Sequence, residues 1–165
     1  GLGKKHRHEL RRKIRRLEAA GEVKQVTVRD PNGLKSEMEE FLELMSSTSK
    51  DKADFLTPKR RLFFIRLADQ AAIRDSLRLS FLQLDEKRLA ACLIFDYRNT
   101  YMLYNSGYDP ARSDLSVGLI NKAFAIREAI GLGRHRFDFL KGSERYKYGL
   151  GGQDQAIYRM VVTRS

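Results

Sequence analysis

Residues 135–152 read HRFDFLKGSERYKYGLGG, and the reading of this stretch decides that of the rest. Residues 136–140 predict a short strand that runs straight into a glycine-punctuated loop. Strand side chains alternate, so Phe137 and Phe139 face one side and Asp138 the other. A carboxylate set between aromatics is costly to bury without a partner. The loop offers Lys141, Arg145 and Lys147 as partners, and Tyr146 and Tyr148 add hydroxyls able to donate or accept protons. Glycines at 142, 149, 151 and 152 let the backbone bend or come close to a ligand. No other segment holds so much usable chemistry in so short a span.

Working outward, residues 116–130 predict a helix capped by Ser116, with Gly118 in its first turn and Leu119, Ile120, Ala123, Phe124 and Ile126 as apolar positions. Gly131 and Gly133 end it. A helix start presents free N–H groups and positive dipole, which suit a pyrophosphate. Before it come three closely spaced strands, 77–84, 89–97 and 100–108, an antiparallel meander whose middle member is nearly continuously apolar and so covered on both faces. Cys92 in that middle strand reads as a core residue, since no histidine partner is near and free cysteine is usually buried. Gly107, in the run 105–110 (NSGYDP), marks a bulge or a close backbone approach. Taken by themselves, Tyr104 and Tyr108 read as ordinary strand tyrosines with wet hydroxyls.

The first half is more helical. Residues 4–20 (KKHRHELRRKIRRLEAA) form a helix with a narrow Leu10, Ile14, Leu17 stripe on an otherwise basic surface. That surface is either a solvated face or an electrostatic footprint for phosphates. His6 and His8 are two apart, do not share a helix face and have no Cys or carboxylate pattern beside them, so no metal site is expected. A valine-rich strand follows at 22–29, then a DPNG turn. A helix at 36–45 has Ser36 and Glu39 in capping-box spacing, and residues 46–57 are a polar loop. A helix from Thr57-Pro58 runs to about 74. Residues 156–163 (AIYRMVVT) predict a closing strand.

With 165 residues, 42% hydrophobic and 32% charged, the chain fits one globular domain. No apolar run nears the roughly 20 residues a membrane helix needs. A single cysteine excludes an internal disulfide framework and suits a reducing compartment, hence a cytoplasmic expectation. The net charge of +11 favours anionic ligands without choosing among nucleotide phosphates, tRNA, acidic glycans or a membrane surface.

The segment FDFLKGSERYKYGLG, with the NSGYDP element before it, resembles the C-terminal signature of the CelD/BioF-like, Fem-related branch of the GNAT acyltransferase superfamily. The resemblance implies a GNAT-like α/β (α+β) fold: a mixed, mostly antiparallel sheet with helices on both faces. It implies residues 1–165 are one acyltransferase domain, the C-terminal lobe of a longer protein, consistent with the Gly-Leu-Gly start. It implies that strands 100–108 and 136–140 run parallel and splay apart to admit acetyl-CoA or another acyl-CoA, with Tyr104, Ser106, Tyr108 and Asp109 as candidates to line the cleft. The pyrophosphate would lie at Arg112, Ser116, Val117 and Gly118, although the usual R/Q-x-x-G-x-G/A motif is replaced by RSDLSVG. On this reading Asp138, Tyr146, Lys147 and Tyr148 are catalytic. Lys147 would stabilise the oxyanion or a donor phosphate, a tyrosine would protonate the leaving group, and Asp138 would orient the acceptor amine or pair with Lys147. The acceptor is then an amine of a small molecule, amino sugar or polysaccharide and cell-envelope precursor. Two other readings remain at this point: a Fem-like transferase using aminoacyl-tRNA, and a non-catalytic module that binds an anionic polymer.

Overall fold

The structure, a computed structural model, describes residues 2–163. A five-stranded sheet, ordered β1-β2-β3-β4-β5, carries the molecule. β1 (Val23–Val28), β2 (Leu77–Leu84), β3 (Lys87–Tyr97) and β4 (Thr100–Tyr108) pair antiparallel in succession. Only β5 (Arg136–Asp138) runs parallel to its neighbour, as a crossover through a helix allows. Both tight turns of the meander place two non-glycine residues at positive φ, Asp85 with Glu86 and Arg98 with Asn99, which is the twist two-residue hairpins prefer.

Alternation along β2 and β3 divides the core. Leu77, Leu79, Phe81, Ala91 and Leu93 face α2 (Leu34–Ser47) and α4 (Pro58–Ile73). Leu82, Ala90, Cys92 and Ile94 face α1 (Lys4–Glu18) and α5 (Val117–Gly131). With apolar side chains on both faces, β3 is continuously hydrophobic, as its sequence reads. α1 docks through Leu17, fully buried, and leaves the basic side chains of Lys4, Lys5, Arg7, Arg11, Arg12, Arg15 and Arg16 exposed. No helix among the described residues is long and apolar enough to cross a membrane.

Several local expectations are corrected. α2 starts at Leu34 with left-handed Gly33 as its N-cap, and Ser36 Oγ donates to Gly33 O instead of capping. The polar stretch before Pro58 contains a short helix, α3 (Lys50–Phe55), capped by Ser49. The cap at Thr57 forms as expected, its Oγ1 accepting from Arg60 N. Residues 156–163 form no strand: Ile157, Tyr158, Met160 and Val162 are each more than 80% exposed. Alternating β-branched residues need a neighbouring strand to become one, and none lies beside them. β5 likewise stops at Asp138, two residues early, because Leu140 takes a left-handed φ of 54°.

Candidate functional site

β4 pairs with β5 only at Thr100, Tyr101 and Met102. Beyond Met102 the two strands part, and β4 runs on to Tyr108 with no strand on that side among the described residues. A bulge at Tyr104 marks the change, since Leu93 pairs with Asn105 and Ile94 with Leu103. The open edge is met by side chains. Thr48 Oγ1 accepts from Tyr108 N at 2.9 Å. Lys52 of α3 donates to Ser106 O, and to Asn105 Oδ1 at 3.3 Å. α2 comes this close because residue 107 is glycine; a Cβ there would run into the backbone of Leu44 and Met45.

α5 forms the back of the crevice. Lys122, only 7% exposed, donates from Nζ to Gly118 O at 3.0 Å and lies 4.9 Å from the centre of the Tyr146 ring. Burial pushes its pKa down. The pKa of Lys52 is pushed down to about 8, first by burial and then by the charge of Lys122. Tyr146, on α6 (Arg145–Gly149), packs edge-on against Phe139 with centroids 6.1 Å apart. Burial carries its hydroxyl pKa up to about 12, so it holds its proton at neutral pH.

Lys147 is buried, but not against Asp138. Its ammonium donates to the carbonyls of Leu140, Lys141 and Gly142 and pairs with Glu144 at 2.8 Å. It staples the loop that follows β5. Asp138 Oδ1 accepts from Leu140 N at 2.7 Å, a local turn bond, so the expected Asp138–Lys147 pair is not formed. Tyr148 points outward and donates to Asp154 at 2.8 Å.

The residues expected around the acyl donor divide similarly. Tyr104 stacks with Phe64 and Phe95 on the α4 side of the sheet. The Tyr108 ring lies over Gly118, where a Cβ would meet it at 2.9 Å, so ring packing demands that glycine. Asp109 caps the 3₁₀ turn Pro110–Leu115 through Ala111 N at 3.0 Å and meets Lys87 at 3.2 Å. Arg112 kinks that turn. Ser116, at φ 56°, caps α5 by its backbone only; its Oγ accepts from Lys13 Nζ at 3.0 Å. Val117 is buried behind it. Arg12, Lys13 and Arg16 of α1 thus gather with Ser116 and Asp114 round a hollow the size of one water.

Lys52, Lys122, Thr48 and Lys13 were not among the site residues read from sequence. Lys122 could have been found: at helical spacing it shares the inner face of α5 with buried Gly118, Ala125 and Ala129. Lys52 sits in a polar run and sends no such signal.

An acetyltransferase (GNAT) domain family matches residues 4–148. No curated protein is found to match the sequence. Among solved structures, AAC(6')-Iy in complex with the bisubstrate analogue CoA-S-monomethyl-acetylneamine superposes with a TM-score of 0.60 at 12% identity, over 88% of this chain and 100% of that one. The ribosomal-protein-alanine N-acetyltransferase of Brucella melitensis gives 0.54 at 9%, over 86% and 100%. An aminoglycoside acetyltransferase from an uncultured soil metagenomic sample gives 0.52 at 10%, over 86% and 97%. At such identities the likeness is one of fold.

Proposed function

The chain belongs to the acetyltransferase (GNAT) domain family, and from that premise we propose that it transfers an acyl group from an acyl-CoA thioester to an amine. The observation that carries this reading is the parting of β4 from β5 after Met102, which leaves a β4 edge able to pair with the amide groups of a pantetheine arm. The donor phosphates would lie by the start of α5, where Lys13 and Arg12 supply charge that the altered RSDLSVG loop lacks. Tyr146, protonated and leaning over the crevice, is the proton donor to the leaving thiolate. Lys147 holds the loop that presents Tyr146 and so acts through position. Asp138 shapes the turn, and Tyr148 stands at the rim. Amino sugars and cell-envelope precursors are the acceptors we favour.

The test is thiol release from acetyl-CoA across a panel of amines, beside thermal shifts with CoA. CoA should stabilise the fold, and Tyr146→Phe should cut turnover by about 10²-fold or more. No stabilisation by CoA at any concentration up to millimolar contradicts the thioester reading. A second reading has one supporting observation, the exposed basic face of α1: an aminoacyl group could arrive on tRNA. Salt-sensitive tRNA binding in the absence of CoA binding is its signature.

A further inference from the structure

Lys52 and Lys122 bring two ammonium groups into the crevice from opposite sides, α3 and α5, and neither makes an ion pair among the described residues. Each has only neutral acceptors: Ser106 O and Asn105 Oδ1 for Lys52, Gly118 O for Lys122. The groups facing them are Cys92 on β3, Tyr146 on α6, and Glu144 just before it. Cys92 is fully buried and its thiol pKa is pushed up by burial, so it stays neutral. Glu144 acts on both lysines at a distance, yet its carboxylate is bound to Lys147 and more than half exposed. With Glu144 taken up by Lys147, Lys52 and Lys122 are left without a carboxylate of their own among the described residues. Buried Arg78 is treated otherwise, since it closes on Asp96, which half-buried Arg134 also meets. A buried charge without a counter-charge is costly, and the cost is relieved when an anion arrives.

We infer that Lys52 and Lys122 form an anion subsite inside the crevice, which takes a phosphate or carboxylate group of the ligand lodged between β4 and α5. The inference rests on the crevice being the ligand cleft of the proposed transferase, and it narrows that ligand to one carrying negative charge at the depth of Ser106. This place is distinct from the hollow at Ser116, whose walls come from 12–16 of α1 and 114–116 and include neither Lys52 nor Lys122. Lys52 also holds the Ser106 carbonyl, so a ligand pairing with β4 must draw this lysine off the strand and offer it something better. An anionic oxygen does so, because charge-assisted hydrogen bonds are about twice as strong as those to a neutral carbonyl. The two sources of such a group are the donor's phosphates and an acidic acceptor.

The experiment is calorimetric titration of the whole chain at pH 8, in two buffers of different ionisation enthalpy, with inorganic pyrophosphate, coenzyme A, pantetheine and glutamate. Because Lys52 is only partly protonated near pH 8, an anion landing on the pair draws in a proton. Wild-type protein should bind pyrophosphate with net proton uptake, and Lys52→Met and Lys122→Met should each weaken that binding at least tenfold. Donor phosphates are the source if coenzyme A shares this loss and pantetheine does not. An acidic acceptor is the source if glutamate shares it and coenzyme A does not. If coenzyme A fails to bind wild-type protein while pyrophosphate binds through the pair, the thioester reading falls and the subsite stands. If coenzyme A binds wild-type and both variants alike, and no probe brings proton uptake, the subsite is overturned and the thioester reading stands. Proton uptake is read on the wild-type chain, so it decides even if a variant fails to fold.

Discussion

The two ends of β4 hold buried cations on opposite terms. At its start, where β5 is hydrogen-bonded beside it, Asp96 takes Arg134 through two bonds of 2.7 and 2.8 Å and Arg78 at 3.1 Å, and its side chain is only 4% exposed. Two polar atoms there, Arg78 Nε and the Tyr101 hydroxyl, are buried without partners among the described residues, but two guanidiniums meet two carboxylates, since Arg78 also pairs with Asp75 at 3.3 Å. At the far end, where β5 has turned away, Lys52 and Lys122 face each other's charge with carbonyls for company. The same sheet thus closes one end with its own carboxylate and leaves the other short of one. Matched charge is what a structural joint needs; unmatched charge in a strand-lined crevice is what a binding site needs before its ligand comes.

Substitutions should separate the two ends by sign. Asp96→Ala leaves buried Arg78 with only the exposed carboxylate of Asp75, and we expect a loss of about 3–5 kcal/mol in urea unfolding. Gly107→Ala pushes the backbone of α2 off β4; overpacking of this kind costs about 1–3 kcal/mol, and activity should fall with it as the Thr48 bond to Tyr108 is strained. Lys122→Met should go the other way, stabilising the free protein by about 1–2 kcal/mol as a lone buried cation is removed. A destabilised Lys122→Met chain would put the lysine with Asp96 as a structural group. The smallest effect is one of pH. The folded pKa of Lys52 lies below its ordinary 10.5, at about 8. Its charge therefore costs stability in full below pH 8, and the cost fades as pH rises to 10.5. The stability advantage of Lys52→Met over wild type should shrink across that window; an advantage flat with pH would mean that Lys52 is not desolvated.

Much of this layout is legible in the chain. The alternation of β2, the doubly apolar run of β3, the polar turn read at 85–88, which closes to 85–86 because β3 starts at Lys87, the turn at 98–99 and the strand-then-loop at 136–148 give the sheet and its crossover. The parallel pairing of β4 with β5 and their divergence were implied by resemblance to the acyltransferases, and the register bears this out. What could not be read is which partner each charged side chain would choose. Lys147 and Asp138 share one short loop, and sequence gives no reason to prefer distant pairing over the nearest backbone groups, yet both end on local carbonyls and amides. Conversely, the lysines that reach the crevice come from α3 and α5, some 70 positions apart in sequence, and only the folded sheet brings them together. The tail at 156–163 has the pattern of a strand but no neighbour, a reminder that periodicity describes a surface and pairing supplies the strand.

In the proposed transfer the open edge of β4 receives the acyl donor. Backbone amide chemical shifts of the ¹⁵N-labelled protein, followed as coenzyme A is added, report on that edge residue by residue. The prediction is that the largest changes fall on 103–108 of β4 and on Val117 and Gly118, with the amides of α4 unmoved. Changes confined to the exposed face of α1, with Ser106 and Tyr108 silent, would contradict it.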